Sequence, residues 1–388
     1  MRSTTEGPRP TCDLLVVGAG PSGCVVAERA ASELDLHVRI LERRPHVAGN
    51  CFDHRNADGL LVHDYGPHYF RASDPALVAY LSRFTDWIPG NYRVRALVRG
   101  ELLPFPINLT TLERFFGRSL TRESASALLR AKAEPIATPA NSEELVLSRV
   151  GRELYEAFYL GYTQKQWGRH PSALAPSVCG RVPVRLDRDD RYVDAPFQQM
   201  PALGYTALFR RMIDHPRIEL RLGVDYREAR KVERPRLATV YCGPLDEYFD
   251  RRLGALPWRS LRFEERSFDA EFVQPCVQIN YPDERPYTRT VEIKHVTAER
   301  HPRTVVTTEY PQAVGDPYYP VPGRESAALH RRYLELAAEE ERQRRVFFTG
   351  RLAAYRYINT DEAVAAALAT FERLRPLITE REAEACGT

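Results

Sequence analysis

The sequence predicts an α/β fold in which a Rossmann-like domain is formed by both ends of the chain. Three observations support this prediction. Residues 13–42 have the pattern of a strand, a glycine-rich turn, a helix and a second strand. Residues 75–165 are mostly helix-patterned, whereas residues 176–320 carry short alternating runs typical of antiparallel strands. From residue 345 a strand, a glycine turn and a helix follow, and we expect this unit to return to the first domain.

The glycine-rich turn carries a dinucleotide-binding fingerprint. An apolar strand leads into G-A-G-P-S-G at 18–23, and a helical segment and a second apolar strand follow, ending at Glu42. We expect Gly18 to permit the tight turn, Gly20 to let the backbone approach a pyrophosphate, and Gly23 to let the helix pack on the strand. The helix N-terminus offers N–H groups to phosphates, and Glu42 offers acceptors to the adenosine ribose. This pattern predicts a bound dinucleotide without separating FAD from NAD.

The turn after Glu42 favours FAD. It reads R-R-P-H-V-A-G-N at 43–50, and resembles glutathione-reductase-like and amine-oxidase-like flavoproteins, in which this turn also lies along the cofactor. We therefore expect Arg43, Gly49 and Asn50 to contact FAD. The sequence has no second G-x-G-x-x-G, so no separate NAD(P)H domain is predicted.

Composition narrows the class of protein. The 388 residues are 43% hydrophobic and 28% charged with a net charge of +3, which is typical of a globular chain of two or three domains. So small a net charge predicts no nucleic-acid partner. The seven cysteines are scattered without a C-x-x-C pair, which argues against a disulfide framework and a metal site. Without an apolar run of signal-peptide or membrane-span type, we expect a cytoplasmic protein.

Several blocks further along the chain resemble the UDP-galactopyranose mutase family. The blocks are Y-T-Q-K-Q-W-G at 162–168, R-V-P-V-R at 181–185, P-Y-T-R at 286–289, E-Y-P at 309–311, P-Y-Y-P at 317–320 and G-R-L-A-A-Y-R-Y at 350–357. They occur in the family's order, and together with the glycine-rich turn they make the resemblance cover essentially the whole chain.

The resemblance implies a discontinuous Rossmann-like FAD-binding domain with an inserted helical bundle and an antiparallel β-sheet domain. The implied boundaries are 1–75, 201–255 and 331–388 for the FAD-binding segments, 76–175 for the helical domain, and 176–200 with 256–330 for the sheet domain. Because many relatives are dimers, it also implies a possible homodimer.

The resemblance further implies an isomerase that interconverts the pyranose and furanose forms of a nucleotide-diphosphate hexose, by default UDP-galactopyranose and UDP-galactofuranose. In that family FAD is active when reduced, and its N5 attacks the anomeric carbon. An external reductant such as NAD(P)H is then needed. The sequence offers no obvious Ser/His/Asp or Cys/His catalytic set, which agrees with a cofactor that carries the covalent chemistry.

The family's functional residues map onto positions in the matching blocks. Arg181 and Arg289 are the implied partners of the pyrophosphate, because a leaving diphosphate needs guanidiniums nearby. His68 is implied to lie against the flavin and Tyr357 to contact phosphate or sugar hydroxyls, and both are implied catalytic residues with Arg181 and Arg289. The other implied substrate contacts are Phe158, Tyr162, Trp167, Tyr192, Arg259, Tyr318, Tyr319 and Asn108, and the other implied cofactor contacts are Gly350, Arg351 and Asn359.

Structural roles stay open as alternatives at several of these positions. Tyr162 and Trp167 are also compatible with aromatic core packing, and one of Tyr318 and Tyr319 with a half-buried strand position. A single histidine such as His68 is more often a structural residue than a flavin contact.

Four positions depart from the family pattern. Ala48 replaces a glycine in the turn along the cofactor, Arg71-Ala72 replaces His-Thr, Asp190 replaces Asn, and Asn359 replaces Asp. Loss of a carboxylate near the pocket is compatible with drift in supporting residues. It is also compatible with another sugar nucleotide, such as a dTDP-deoxyhexose, which has fewer hydroxyl groups to satisfy.

Three functions from different classes follow. The first is the flavin-dependent mutase. The second is an amine-oxidase-like flavin oxidoreductase, against which the pair Arg181 and Arg289 argues, because an amine gains nothing from nearby cations. The third is a non-catalytic protein that binds sugar nucleotides.

Overall fold

The computed structural model describes residues 10–385, with side chains described up to residue 376. Residues 1–9 and 386–388, which the predicted FAD-binding segments include, lie outside the described residues.

The strands, in chain order, are β1 (Cys12–Val17), β2 (Val38–Glu42), β3 (Asp53–Arg55), β4 (Leu61–His63), β5 (Phe70–Ala72), β6 (Trp87–Pro89), β7 (Val94–Val98), β8 (Glu101–Phe105), β9 (Phe197–Pro201), β10 (Ile218–Leu222), β11 (Pro235–Tyr241), β12 (Trp258–Phe268), β13 (Gln278–Asn280), β14 (Arg289–Val291), β15 (Thr304–Gln312), β16 (Tyr319–Pro320) and β17 (Val346–Phe348).

The helices are α1 (Pro21–Leu34), α2 (Pro75–Leu81), α3 (Leu109–Phe116), α4 (Arg122–Lys132), α5 (Ser142–Val150), α6 (Arg152–Leu154), α7 (Gly161–Trp167), α8 (Ser177–Gly180), α9 (Tyr205–Met212), α10 (Tyr226–Ala229), α11 (Leu245–Tyr248), α12 (Lys294–Thr297), α13 (Arg324–Arg344), α14 (Gly350–Ala353) and α15 (Thr360–Ala385). A π-helical segment, Tyr155–Leu160, joins α6 to α7.

A parallel sheet with the strand order β10-β2-β1-β11-β17 forms the Rossmann-like part of the fold. Its central strand β1 is an apolar run because it is buried on both faces, as in other parallel sheets. Helices α1 and α15 pack together, and their side chains share one core with β1 and β2. The strands come from separate stretches near residues 12–42, 218–241 and 346–348. The predicted α/β class with a discontinuous Rossmann-like domain is confirmed.

A larger sheet has the order β16-β12-β15-β14-β13-β7-β8 and combines the hairpin at 94–105 with strands from 258–320. Its pairs are antiparallel except for β13 with β7, which run parallel. The hairpin β7–β8 lies in the segment predicted to be helical. Residues 94–98 alternate between buried and half-buried positions, and this period of two is that of a strand. The domain boundaries themselves stay predictions.

Within residues 10–385 no helix has both the length and the apolar character that crossing a membrane requires. The same part of the chain contains no cluster of three or more His, Cys, Asp or Glu side chains that could hold a metal ion.

Candidate functional site

Two cavities meet at the carboxyl end of the parallel sheet. With the open space at their mouths included, the first measures about 1260 Å³ and the second about 1600 Å³. The side chains that line both of them are Asn50, His68, Arg351, Asn359 and Thr360. A long ligand in the first cavity would therefore present one end to the second.

The first cavity has the form of a dinucleotide cradle. Gly18 has a φ of +107°, and a Cβ on Gly23 would overlap the carbonyl oxygen of Gly18, so neither position accommodates a side chain without strain. Helix α1 begins with Pro21 after Gly20, and no side chain caps its N-terminus. Its free N–H groups and positive dipole end therefore face the cavity, where they suit a pyrophosphate.

The predicted cofactor contacts all line this first cavity: Gly18, Gly20, Gly23, Glu42, Arg43, Gly49, Asn50, Gly350, Arg351 and Asn359. Glu42 ends β2, and its carboxylate accepts hydrogen bonds from the main-chain N–H of Ala19 at 2.8 Å and of Arg44 at 2.9 Å. The donor set, with an acidic residue at one end and a glycine loop at a helix N-terminus, fits FAD.

Ala48 adopts a conformation that glycine normally supplies. It is fully buried with a φ of 72°, in the left-handed region, and its N–H donates to the carbonyl oxygen of Ala19 at 2.8 Å. This bond holds the second turn against the glycine loop. For a residue with a Cβ the left-handed conformation costs about 1–2 kcal/mol, so the departure at Ala48 is tolerated with strain.

His68 lies where the two cavities join. Its Nδ1 is 3.0 Å from the carbonyl oxygen of Gly66. Because a carbonyl only accepts, Nδ1 carries the proton and Nε2 is an acceptor in the neutral ring. Burial, with Arg351 nearby, lowers the pKa of His68 to about 3, so the ring stays neutral. The main-chain N–H of His68 donates to Nδ1 of His63 at 3.2 Å.

Guanidiniums surround Tyr357 in the second cavity. The guanidinium of Arg181 lies 4.0 Å from the centre of the Tyr357 ring, and that of Arg351 lies 5.4 Å from it. Tyr319 stacks on the same ring at 5.5 Å. Desolvation by the surrounding cavity walls favours the neutral phenol, although 38% of the residue is exposed, and Arg181, Arg351 and Arg289 outweigh it and lower the pKa of Tyr357 to about 8. The cavity therefore favours negative charge.

Arg289 forms an ion pair with a buried carboxylate. Its Nε lies 2.7 Å from Oε2 of Glu309, which is 0% exposed. The two residues face each other in the β14–β15 register. Burial raises the pKa of Glu309 and the charge of Arg289 opposes this rise. Nη2 of Arg289 donates to the hydroxyl of Tyr319, which also lines the second cavity, at 3.4 Å.

The predicted substrate contacts fall into two groups. The residues that line the second cavity are Phe158, Tyr162, Trp167, Tyr192, Tyr318 and Tyr319, together with His68, Arg181, Arg289 and Tyr357. Phe158 also belongs to the core, because it is 3% exposed and stacks on Phe105. Trp167 lies across from Tyr319, with ring centres 6.1 Å apart.

Asn108 and Arg259 do not line either cavity. Asn108 is 0% exposed and caps α3, accepting from the N–H of Thr111 at 2.9 Å. Arg259 donates to the carbonyl oxygens of Gln166 at 3.0 Å and Lys165 at 3.2 Å. Both side chains are engaged by main-chain groups, because each lies at a helix end whose peptide groups lack intrahelical partners.

Sequence reasoning assigned no site role to several polar residues that line the second cavity. Arg71 is one of them, and its departure from the family pattern was the available signal. Gln278 and Asn280 lie on the same face of β13, joined by a 2.7 Å bond from Nε2 of Gln278 to Oδ1 of Asn280. Their spacing of two identifies a shared face, but no motif marks that face as functional.

Comparisons with known proteins agree with this geometry. A UDP-galactopyranose mutase family model matches residues 157–357, and an NAD(P)-binding Rossmann-like domain model matches residues 16–84. A probable UDP-galactopyranose mutase of Klebsiella pneumoniae is 38% identical over 95% of this chain and 96% of its own length. A dTDP-fucopyranose mutase of Escherichia coli is 34% identical over 92% and 96% of the two chains. The solved structure of a reduced UDP-galactopyranose mutase is similar in fold, with a TM-score of 0.75 at 16% identity over 95% and 96% of the chains.

Proposed function

Because the chain belongs to the UDP-galactopyranose mutase family, we propose that it interconverts UDP-galactopyranose and UDP-galactofuranose. The chain is a flavin-dependent mutase, hence an isomerase, and its cofactor is FAD. The observation that carries the substrate proposal is the junction of the two cavities at His68, with Arg181 and Arg289 lining the second. A nucleotide sugar in the second cavity can reach the end of a cofactor in the first.

We propose that residues of the first cavity bind the parts of FAD as follows. The N-terminus of α1 and the loop at Gly18–Gly23 would bind the pyrophosphate, and Glu42 would bind the adenosine ribose. Arg351, which lines both cavities, would lie beside the flavin end. When bound in its reduced form, FAD supplies the nucleophilic N5 for the anomeric carbon.

Arg181 and Arg289 would neutralise the diphosphate as it leaves. Charge-assisted hydrogen bonds from preorganised guanidiniums are strongest where charge develops, and Glu309 fixes one of the two in place. Tyr162, Trp167 and Phe158 form the aromatic wall for the uracil. Together these residues hold the anomeric carbon at the cavity junction.

His68 would act as a hydrogen-bond acceptor next to the sugar. Its Nδ1–H is taken by the carbonyl of Gly66, and the lowered pKa keeps Nε2 unprotonated. An acceptor in this position orients a sugar hydroxyl or a flavin N–H rather than donating a proton. Tyr357, which is in contact with Arg181, would supply a polar side chain to the wall of the second cavity.

A second candidate is the same chemistry on a dTDP-deoxyhexose. It is supported by the E. coli relative that is a dTDP-fucopyranose mutase and by Asn359 and Arg71 at the pocket.

We further propose an external reductant such as NAD(P)H and a homodimer as the assembly. An amine oxidase is disfavoured, because the second cavity is lined by the guanidiniums of Arg71, Arg181, Arg289 and Arg351.

The test is to incubate dithionite-reduced protein with UDP- and dTDP-hexoses and to measure pyranose and furanose forms by chromatography. We expect UDP-galactofuranose to convert to UDP-galactopyranose only when the protein is reduced. Conversion of a dTDP-deoxyhexose alone would establish the second candidate instead. If no sugar nucleotide isomerises and the oxidised protein consumes oxygen with an amine, the proposal is wrong.

A further inference from the structure

Lys165 joins the helix that carries Tyr162 and Trp167 to the turn that precedes Arg289. Its ammonium lies among four main-chain carbonyl oxygens of that turn. The oxygens, with their distances from Nζ, are those of Tyr281 at 2.6 Å, Asp283 at 2.8 Å, Arg285 at 2.9 Å and Tyr287 at 3.0 Å. Because the negative ends of the four carbonyl dipoles converge on one point, the conformation of the turn at 281–287 is stabilised by the ammonium of Lys165 at its centre.

Further contacts fix α7 at both ends. At its beginning, a Cβ on Gly161 would overlap the carbonyl oxygen of Pro282, so helix and turn are in backbone contact. At its end, Arg259 from β12 donates to the carbonyl oxygens of Lys165 and Gln166. Trp167 follows directly. The helix is therefore held as a rigid element between the turn and the large sheet.

The turn leads straight into Arg289. It is closed by the N–H of Tyr281, which donates to the carbonyl oxygen of Thr288 at 2.9 Å. The N–H of Thr288 in turn donates to the carbonyl oxygen of Glu309 at 3.0 Å. A shift of the turn would therefore be transmitted to Arg289 at the start of β14.

We propose that Lys165 is a positioning residue that sets the distance between the two aromatic side chains on α7, Tyr162 and Trp167, and the guanidinium of Arg289. The inference rests on the proposed function, which puts the base on α7 and the diphosphate at Arg289. A ligand that spans both places, such as UDP, gains from correct spacing, because its second contact is intramolecular. Uridine contacts only the aromatic wall, because it has no diphosphate, so its affinity does not depend on that spacing.

Lys165→Met tests this role, because it keeps an unbranched stem and removes the ammonium. Lys231→Met is the matched control, since Lys231 is 65% exposed and pairs with the exposed Glu228. Affinities for UDP and for uridine would be measured by calorimetry on FAD-loaded protein, with visible flavin absorbance to confirm loading. We expect Lys165→Met to weaken UDP binding about tenfold and uridine binding less than about twofold, with KM raised more than kcat is lowered. The control should match wild type.

Equal losses for UDP and uridine, or no loss for either, would overturn the positioning role. If Lys165→Met does not fold, Lys165→Arg gives the same comparison, because a planar guanidinium cannot meet carbonyls that converge on one point. For that variant, too, UDP affinity must fall more than uridine affinity. If wild type and control both fail to bind UDP, the proposed function is at fault rather than the role of Lys165.

Discussion

Replacing Arg289 by alanine is expected to cost both turnover and stability. The variant leaves Glu309 0% exposed and without the guanidinium that lies 2.7 Å from its Oε2. Removing one partner of a buried ion pair typically costs about 3–5 kcal/mol, because the remaining charge is buried without compensation. We expect a loss of that size in the free energy of unfolding, measured by urea titration with circular dichroism. FAD should stay bound, since Arg289 does not line the first cavity.

The pH dependence of this loss gives a second measurement. Burial already raises the pKa of Glu309, and Arg289 is the cation that opposes the rise. Without Arg289, Glu309 in the folded state keeps its proton at pH values where the same side chain in the unfolded state has already released it. Stability contributed by a raised pKa is present at low pH and lost as pH increases. The deficit of the variant should therefore be smaller at about pH 6 than at about pH 8.

A double variant separates stability from catalysis. Arg289→Met with Glu309→Met replaces the ion pair by apolar side chains, which is often neutral for stability. We expect it to recover most of the about 3–5 kcal/mol without recovering turnover. The reasoning is refuted if Arg289→Ala unfolds at the wild-type urea concentration, or if the double variant turns over like wild type. Loss of FAD from Arg289→Ala would show that Arg289 serves the cofactor rather than the substrate.

Three further predictions concern the second cavity. Tyr357→Phe should remove a tyrosine that ionises near pH 8, because nearby guanidiniums, led by Arg181, favour its phenolate; tyrosinate absorbance across a pH titration checks this. Asn359→Asp should change the ratio of turnover on UDP- and dTDP-hexoses. In the wild type Nδ2 of Asn359 donates to Oε2 of Glu362 at 3.0 Å, whereas in the variant two carboxylates would face each other. An unchanged ratio would indicate that the residue at 359 has drifted without a role in specificity. Arg71→His should likewise change relative turnover across the sugar panel with FAD retained, and an equal loss on all sugars would contradict a specificity role.

The features that could be predicted from sequence depend on local patterns. The glycine loop at 18–23 and the carboxylate of Glu42 follow from spacing along one strand–helix–strand unit, and the structure brings them to one cavity. The hairpin β7–β8 was missed because proline and short strands disguise its period of two. Such segments carry less signal than long helices do.

Other features depend on contacts between distant parts of the chain. Arg259 looks like a substrate contact in its motif, yet the carbonyls it binds belong to residues 165 and 166. The four carbonyls around Lys165 lie more than a hundred residues further along the chain, and no local sequence pattern predicts their contact with Lys165. Ala48 shows a third limit, because sequence alone does not decide whether a residue accepts positive φ or the turn changes shape.

The strand order of the parallel sheet has a consequence for how the protein is made. Strand β1 is synthesised before the other strands of its sheet, but its cavity also needs the residues after β11 and the segment from Gly350 to Ala363. A ribosome must therefore translate the chain as far as Ala363 before FAD can be enclosed. Until then the edge of β11 that pairs with β17 is open, and an open strand edge can pair with other chains and promote aggregation. Flavin colour in cells thus reports synthesis past residue 363 as well as folding.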